Sequence, residues 1–347
     1  MAAYDSIASL PEAIARILKE HRVTRSLRRP SRVYTDTTDF SSIDYGDIIL
    51  AEDRYFLITA YTKEGRFGVD EQIKQWVPKV EELATGRQYI LKLVFKETFD
   101  MRLGQFTITC YRSPEKEARI LELVQGRPHF MQGEAVLDAR GNLIRVVVPV
   151  GGNRLDKVIH RSESSHEEYF FNELPAVFEE FLGCLQGIAF LHEHGLRHGD
   201  IRRDHIFVDR NTGHFYWIDF DYDFYLPEKP FALDLFELGN ILIYLTGRGD
   251  YHPREIQADP AMGDPVVRSL SATDFSLLAP NRVVNLQKLF PYIPDALNNI
   301  LLHFSAGADV FYETVEEIHT DLSAALEQLK KTSKNGRKRE GETRETG

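Results

Sequence analysis

The hydrophobic pattern of this chain changes period once, near Val150, and that change constrains the fold more than any other feature. Between Asp47 and Phe95, short apolar runs at Ile48–Leu50, Tyr55–Tyr61, Ile73–Val80 and Tyr89–Phe95 are separated by polar turns. This is the pattern of an antiparallel meander. Ser113 and Pro114 then open a helical stretch to Gln125, with serine as N-cap and proline as first residue, where its missing N–H costs nothing. Two further strands are expected over Glu134–Leu137 and Leu143–Val148, joined through Arg140-Gly-Asn142. After Pro149-Val-Gly-Gly152 the period lengthens to that of long helices, over Glu173–His194, Leu233–Leu245, Asp295–Phe304 and Val315–Leu329,. The expected fold is α+β and two-lobed, with an antiparallel-sheet N-lobe over 47–150 and a mostly helical C-lobe over 151–330.

The two ends read differently. Leu10, Ala13, Ile14, Ile17 and Leu18 recur at helical spacing after Ser9, so residues 1–46 are expected to form an amphipathic helix and a linker. The basic run Arg25–Arg32 reads as part of that linker or as a solvated face. Lys331–Gly347 contains no apolar residue and is expected to be disordered.

Composition narrows the class. Hydrophobic residues make up 43% of the 347, enough for a sizeable core. The net charge of −11 argues against nucleic acid or an anionic membrane as partner, because neither could be held by a general positive field. Cys110 and Cys184 have no metal-type spacing and cannot build a disulfide framework, which points to a reducing compartment and to two small core residues. The N-terminus lacks a basic start followed by an apolar run, and no apolar stretch is expected to reach the ~18 residues that span a bilayer. A cytoplasmic location without stable membrane insertion is expected.

The chemistry is concentrated in Leu191-His-Glu-His-Gly-Leu-Arg-His-Gly-Asp200-Ile-Arg-Arg-Asp-His205, followed by Tyr216-Trp-Ile-Asp219-Phe220-Asp221. A helix ends at Gly195, a loop presents Asp200 and His205, and two short strands deliver Asp219. Phosphoryl transfer from a nucleotide needs a carboxylate to orient the attacking hydroxyl and ligands for a divalent ion that neutralises the developing charge. Asp200, His205 and Asp219 can supply these.

At these residues the sequence resembles the protein-kinase superfamily, whose catalytic loop reads His-Arg-Asp-Leu-Lys-Pro-x-Asn and whose metal loop reads Asp-Phe-Gly. The resemblance implies that Asp200 is the catalytic carboxylate, that Arg202 stands where a lysine contacts the transferring phosphate, and that Asp219 holds metal. It puts His205 at the slot of the metal-binding asparagine, where bacterial kinases of lipopolysaccharide-core heptose also carry a histidine. His205 is read either as a metal ligand or as a structural loop residue. Asp221, where glycine is usual, is a second metal contact or a bracing hydrogen bond.

Other parts follow in the same order. Lys92 interrupts the apolar strand Tyr89–Phe95, as the phosphate-contacting kinase lysine does, and Glu117 is its expected ion-pair partner, ahead of Glu115. Lys63-Glu-Gly65-Arg-Phe67-Gly68 resembles the second half of a Gly-rich phosphate loop, with Lys63 at the usual first glycine. Asp234, in Asp234-Leu-Phe-Glu-Leu-Gly239, resembles the acid that braces the catalytic loop, and also fits a plain N-cap. His192 and His194 are read as helix-terminal residues. The resemblance covers Asp47 to Leu326 and implies ATP with Mg²⁺ or Mn²⁺ as cofactors.

The departures refine this. Gly199 replaces the arginine before the catalytic Asp, and Phe220–Leu233 contains no Ser, no Thr and no Ala-Pro-Glu. Two missing parts of one switch predict an enzyme outside the usual loop-phosphorylation control. The expected partner is a protein or small-molecule hydroxyl substrate. The first reading is a protein serine/threonine kinase of atypical bacterial type, because Arg202 keeps a basic residue two after Asp200. A small-molecule or lipopolysaccharide-core sugar kinase is the second. A nucleotide-binding pseudokinase that regulates a partner is the third.

Overall fold

The computed structural model describes residues 4–66, 69–103 and 106–344. The chain divides into two compact units: Met1–Glu97 with Tyr111–Arg127 and Met131–Val150, and Thr98–Cys110 with Pro128–Phe130 and Gly151–Gly347.

The first unit is built on one eight-stranded sheet. Its strands are β1 (Tyr4–Ser6), β2 (Arg32–Tyr34), β3 (Ile48–Ala51), β4 (Arg54–Arg66), β5 (Val69–Glu82) and β6 (Arg87–Lys92). Then come β7 (Thr98–Leu103) and β8 (Phe106–Arg112), which belong to another sheet, and β9 (Gly133–Leu137) and β10 (Leu143–Val147), which complete this one in the order β1-β2-β3-β4-β5-β6-β10-β9. Neighbouring strands of this sheet pair antiparallel, except β2 and β3, which are parallel. Side chains alternate across the sheet as period-two strands require. Ile49, Phe56 and Ile58 join Leu91, Ile144 and Val146 in one apolar cluster. Ile48 and Leu57 join a second cluster with Ile14, Leu18, Val23, Val33 and Leu83.

That second cluster corrects the expected linker. Helices α1 (Glu12–Glu20) and α2 (Arg22–Ser26) bury Ile14, Leu18 and Val23 against the sheet. The basic run is anchored as well: Arg29 Nη1 and Arg32 Nη2 each donate to the fully buried Asp47 carboxylate at 2.6 Å. A cation run reads as solvated unless its acid is known, and here the acid lies 15 residues downstream of Arg32. Helix α3 (Pro114–Leu123) is capped by Ser113, whose Oγ accepts from the Lys116 N–H at 3.2 Å.

The second unit is mostly helical: α4 (Leu155–His160), α5 (His166–Asn172), α6 (Leu174–Glu193), α7 (Ala232–Gly247), α8 (Pro253–Ala258), α9 (Gly263–Ser269), α10 (Asp295–Leu302) and α11 (Val315–Arg344). Two small sheets accompany them. One has the order β11-β12-β13, from β11 (Gly152–Arg154), β12 (Ile206–Asp209) and β13 (Phe215–Trp217); the other has the order β14-β8-β7, with β14 (Tyr222–Tyr225). The architecture is the expected α+β one, an antiparallel-rich sheet unit and a mostly helical one.

Three expectations need correction. The β7–β8 hairpin went unread, and Thr98–Cys110 belongs to the second unit although it lies inside 47–150. Helix α6 is long and apolar enough by composition to cross a membrane; its Phe178, Phe181, Cys184, Leu185 and Ile188 are instead fully buried in the unit's interior, as a core helix requires. The tail expected to be disordered continues α11 to Arg344. Elongating an already nucleated helix costs little, and Lys, Arg and Glu are good helix formers.

Candidate functional site

In the first unit, Lys92 ends β6 with its side chain almost fully buried, and its Nζ lies 2.5 Å from Glu117 Oε1. The expected partner was Glu117 rather than Glu115, and the helix delivers it. Sequence reading missed Arg145. It pairs across the sheet with Lys92 in the β10–β6 register, and its Nε donates to Glu117 Oε2 at 3.2 Å. Its Nη1 and Nη2 donate to the Leu143 and Leu93 carbonyls at 3.2 and 3.3 Å. One buried carboxylate thus serves two buried cations, which makes the trio net positive. The signal was a lone arginine in an otherwise apolar strand, Leu143–Val147.

Of the phosphate-loop residues, Gly65 lies in β4, one residue before the Arg66–Val69 pair of the β4–β5 hairpin. Phe67 and Gly68 lie outside the described residues. Lys63 pairs with Ile73 in the same ladder.

The second unit holds the acidic loop. Asp234, on α7 and fully buried, accepts from the backbone N–H of His198 at 2.8 Å and of Gly199 at 2.9 Å. His192 Nε2 lies 3.0 Å from the same carboxylate. Burial alone would push the Asp234 carboxyl up, but these hydrogen bonds and the neighbouring imidazoles hold it below the usual carboxylate range,. The bracing role fits this geometry; the N-cap reading does not, since Phe231 is the capping residue. His192 is likewise more than a helix-terminal residue. Gly199 has φ +83°, a left-handed conformation that glycine adopts freely and arginine only at a cost.

Asp200 and Asp219 flank His205. His205 Nδ1 lies 2.8 Å from the Asp200 carbonyl and 3.5 Å from its Oδ2, and Nε2 lies 3.6 Å from Asp219 Oδ2. A carbonyl only accepts, so Nδ1 carries a proton, and Nε2 is the ring nitrogen that faces Asp219,. Burial pushes the Asp200 carboxyl up, His205 and Arg202 pull it down, and Asp219 and Asp221 raise it; the net direction is up. Asp219 itself sits at φ +69°. Phe220 is fully buried, 4.8 Å centroid to centroid from His198 and 5.9 Å from Phe130, and this packing fixes the loop that carries Asp219. Asp221 is buried, two residues on.

Arg202 forks onto Asp204 through Nε and Nη2 at 3.0 and 2.9 Å and lines a cavity of about 330 Å³ with Arg154, Arg203, Asp204, Glu237 and Arg282. The Ile201 N–H donates to Glu237 at 2.8 Å.

Among the described residues no group of three or more His, Cys, Asp or Glu side chains is placed to hold a metal by itself. Mg²⁺ is commonly held by one or two carboxylates together with substrate phosphates and water rather than by an all-protein cage, and the Asp219 carboxylate, 3.6 Å from His205 Nε2, is of the donor type such an ion takes.

Two solved structures of the kinase domain of PknI from Mycobacterium tuberculosis, a double mutant and a single mutant, are similar to this chain at 14% and 13% identity. Each match covers 82% of this chain and 99% of the other, with a TM-score of 0.48. No family model matches the chain, and no curated protein matches it.

Proposed function

We propose that this chain is an ATP-dependent phosphotransferase of protein-kinase-like type that moves the γ-phosphoryl group to a hydroxyl acceptor. The reading is carried by one observation, the placement of His205 between Asp200 and Asp219 on a loop held by Asp234. Asp200 orients the acceptor hydroxyl and takes its proton, and its raised carboxyl is better matched to that task than an ordinary aspartate,. Asp219 and His205 hold Mg²⁺ or Mn²⁺, which when bound neutralises charge on the transferring phosphate. Lys92, positioned by Glu117, draws the nucleotide phosphates, and Arg202 supplies further positive charge beside Asp200. Gly65, Phe67 and Gly68 contribute backbone to the phosphates, and Asp221 either supplements Asp219 or braces its loop.

The acceptor proposed first is a protein serine or threonine, in the manner of an atypical bacterial kinase. A small polar acceptor is the second reading, favoured by the cavity of about 330 Å³ beside Arg202. Burial pushes the Cys110 thiol up to about 11, and Cys184 is also buried and unbridged; both suit a reducing cytoplasm. Labelled ATP incubated with the protein and a host lysate, then fractionated into protein, lipid and small molecules, tests the proposal. Label in protein supports the first acceptor and label in small molecules the second. Intact nucleotide binding with no transferred label refutes phosphotransfer.

A further inference from the structure

A segment that follows a metal loop must be held for the loop to keep its shape. Where modification does this, a phosphate meets an arginine and orders the segment. The segment 220–233 has neither Ser nor Thr, yet it is held at several points. Arg197, three residues before Asp200, places Nε 2.5 Å from Asp223 Oδ1. Its guanidinium carbon lies 4.3 Å from the Phe224 ring centroid, and Nη1 donates to the Pro230 carbonyl at 2.8 Å. One side chain therefore touches both the beginning and the end of the segment. Asp223 is fixed in turn, since its Oδ1 accepts from the Phe224 N–H at 2.9 Å.

The next residue on from Arg197 is clamped from α7, because Asp234 accepts from the His198 N–H. The segment is also built into structure of its own: β14 lies beside β8 in the three-stranded sheet. Ile108, Cys110, Phe224 and Leu233 form one buried cluster. The Phe99 ring meets Tyr222 edge-on at 5.7 Å. An isolated surface ion pair would contribute almost nothing. This pair is largely shielded, stacked on an aromatic ring and backed by a sheet, where a charge-assisted hydrogen bond is strong.

We infer that Arg197 and Asp223 are positioning residues, a genetically encoded carboxylate–arginine brace that holds the metal loop without an added phosphate, with the β7–β8 hairpin as its second support. The kinetic consequence rests on the phosphotransferase reading above; the brace itself rests on geometry alone.

The test uses the full chain, phosphatase-treated until its intact mass shows no phosphate. Hydrogen exchange is followed in peptides covering residues 220–231, with ATP turnover and the thermal midpoint measured in parallel. The parent should protect this segment unmodified. Arg197→Ala and Asp223→Asn should speed its exchange by about ten- to a hundredfold and lower kcat by a similar factor, as loss of a charged hydrogen bond implies. KM for ATP and the thermal midpoint should change little. Asp223→Glu, and the exchanged pair Arg197→Asp with Asp223→Arg, should recover most of both. If the single variants exchange within about twofold of the parent, or if the parent is protected only once phosphorylated on Tyr222 or Tyr225, the inference is wrong. A braced parent that binds ATP but never turns it over supports the brace and overturns the phosphotransferase reading instead.

Discussion

Removing Glu117 should cost this protein far more stability than removing Lys92, although both belong to one ion pair. Lys92, Glu117 and Arg145 are all almost fully buried, and their charges sum to one positive. Lys92→Met brings the sum to zero and leaves Glu117 paired with Arg145 at 3.2 Å. The side chains are similar in size, so the cost should stay below about 1.5 kcal/mol. Glu117→Gln takes the shared carboxylate away from two buried cations at once, a change that typically costs about 3–5 kcal/mol. For a chain of 347 residues that lowers the melting temperature by roughly 4–7 °C. Arg145→Met should fall between, because it keeps the Lys92–Glu117 pair but strips donors from the Leu143 and Leu93 carbonyls, at about 1–3 kcal/mol. Urea unfolding with an unchanged slope reads the order directly. Lys92→Met should abolish most turnover at near-parental stability. If Lys92→Met destabilises as much as Glu117→Gln, the account of the trio is refuted.

His205→Asn should keep measurable activity and raise the Mg²⁺-to-Mn²⁺ activity ratio, since a harder oxygen donor replaces a nitrogen; an identical metal preference would make His205 a purely structural residue. Burial and the charges of Asp200 and Asp234 push the Glu237 carboxyl well above its usual range, so its favourable contribution is present below the unfolded value near ~4.5 and is lost as pH rises toward the folded one. Urea midpoints from pH 5 to 8 should therefore move in favour of Glu237→Gln over the parent, and parallel curves would count against it. His166, stacked on Phe290, donates its Nε2–H to the Thr246 carbonyl and accepts at Nδ1 from the Tyr292 hydroxyl, and burial pushes it down to about 4. Its contribution is present above the unfolded value near ~6.5 and lost as pH falls toward 4; His166→Gln should flatten the decline in stability across that window, and an unchanged decline would assign it to other groups.

Much of the fold was legible because the period of the apolar residues is local information. Strand alternation at Ile48, Phe56 and Ile58, and the helical pattern of α6 and α7, survive into the structure with boundaries shifted by a few residues. The neighbourhood of Asp200, His205 and Asp219 was legible for a similar reason, since the three lie within 20 residues of one another. What escaped was pairing at a distance. Arg145 meets Glu117 across 28 residues, Asp47 gathers arginines from an apparent linker, and the β7–β8 hairpin docks beside a strand more than 100 residues away. Thr107, Ile108, Thr109 and Cys110 did carry a strand-like alternation that could have flagged the hairpin. Nothing local in Arg197 could have named Asp223 as its partner.

The role proposed for Asp200 in phosphoryl transfer is decided by single-turnover ADP formation from labelled ATP with Mg²⁺ or Mn²⁺, with parent and Asp200→Asn side by side in the presence of host lysate. Loss of a positioned general base typically lowers the rate by about 10²–10⁴. The account predicts a fall of that size with nucleotide binding intact. Equal ADP formation by the two proteins, or none by the parent despite bound nucleotide, would contradict it.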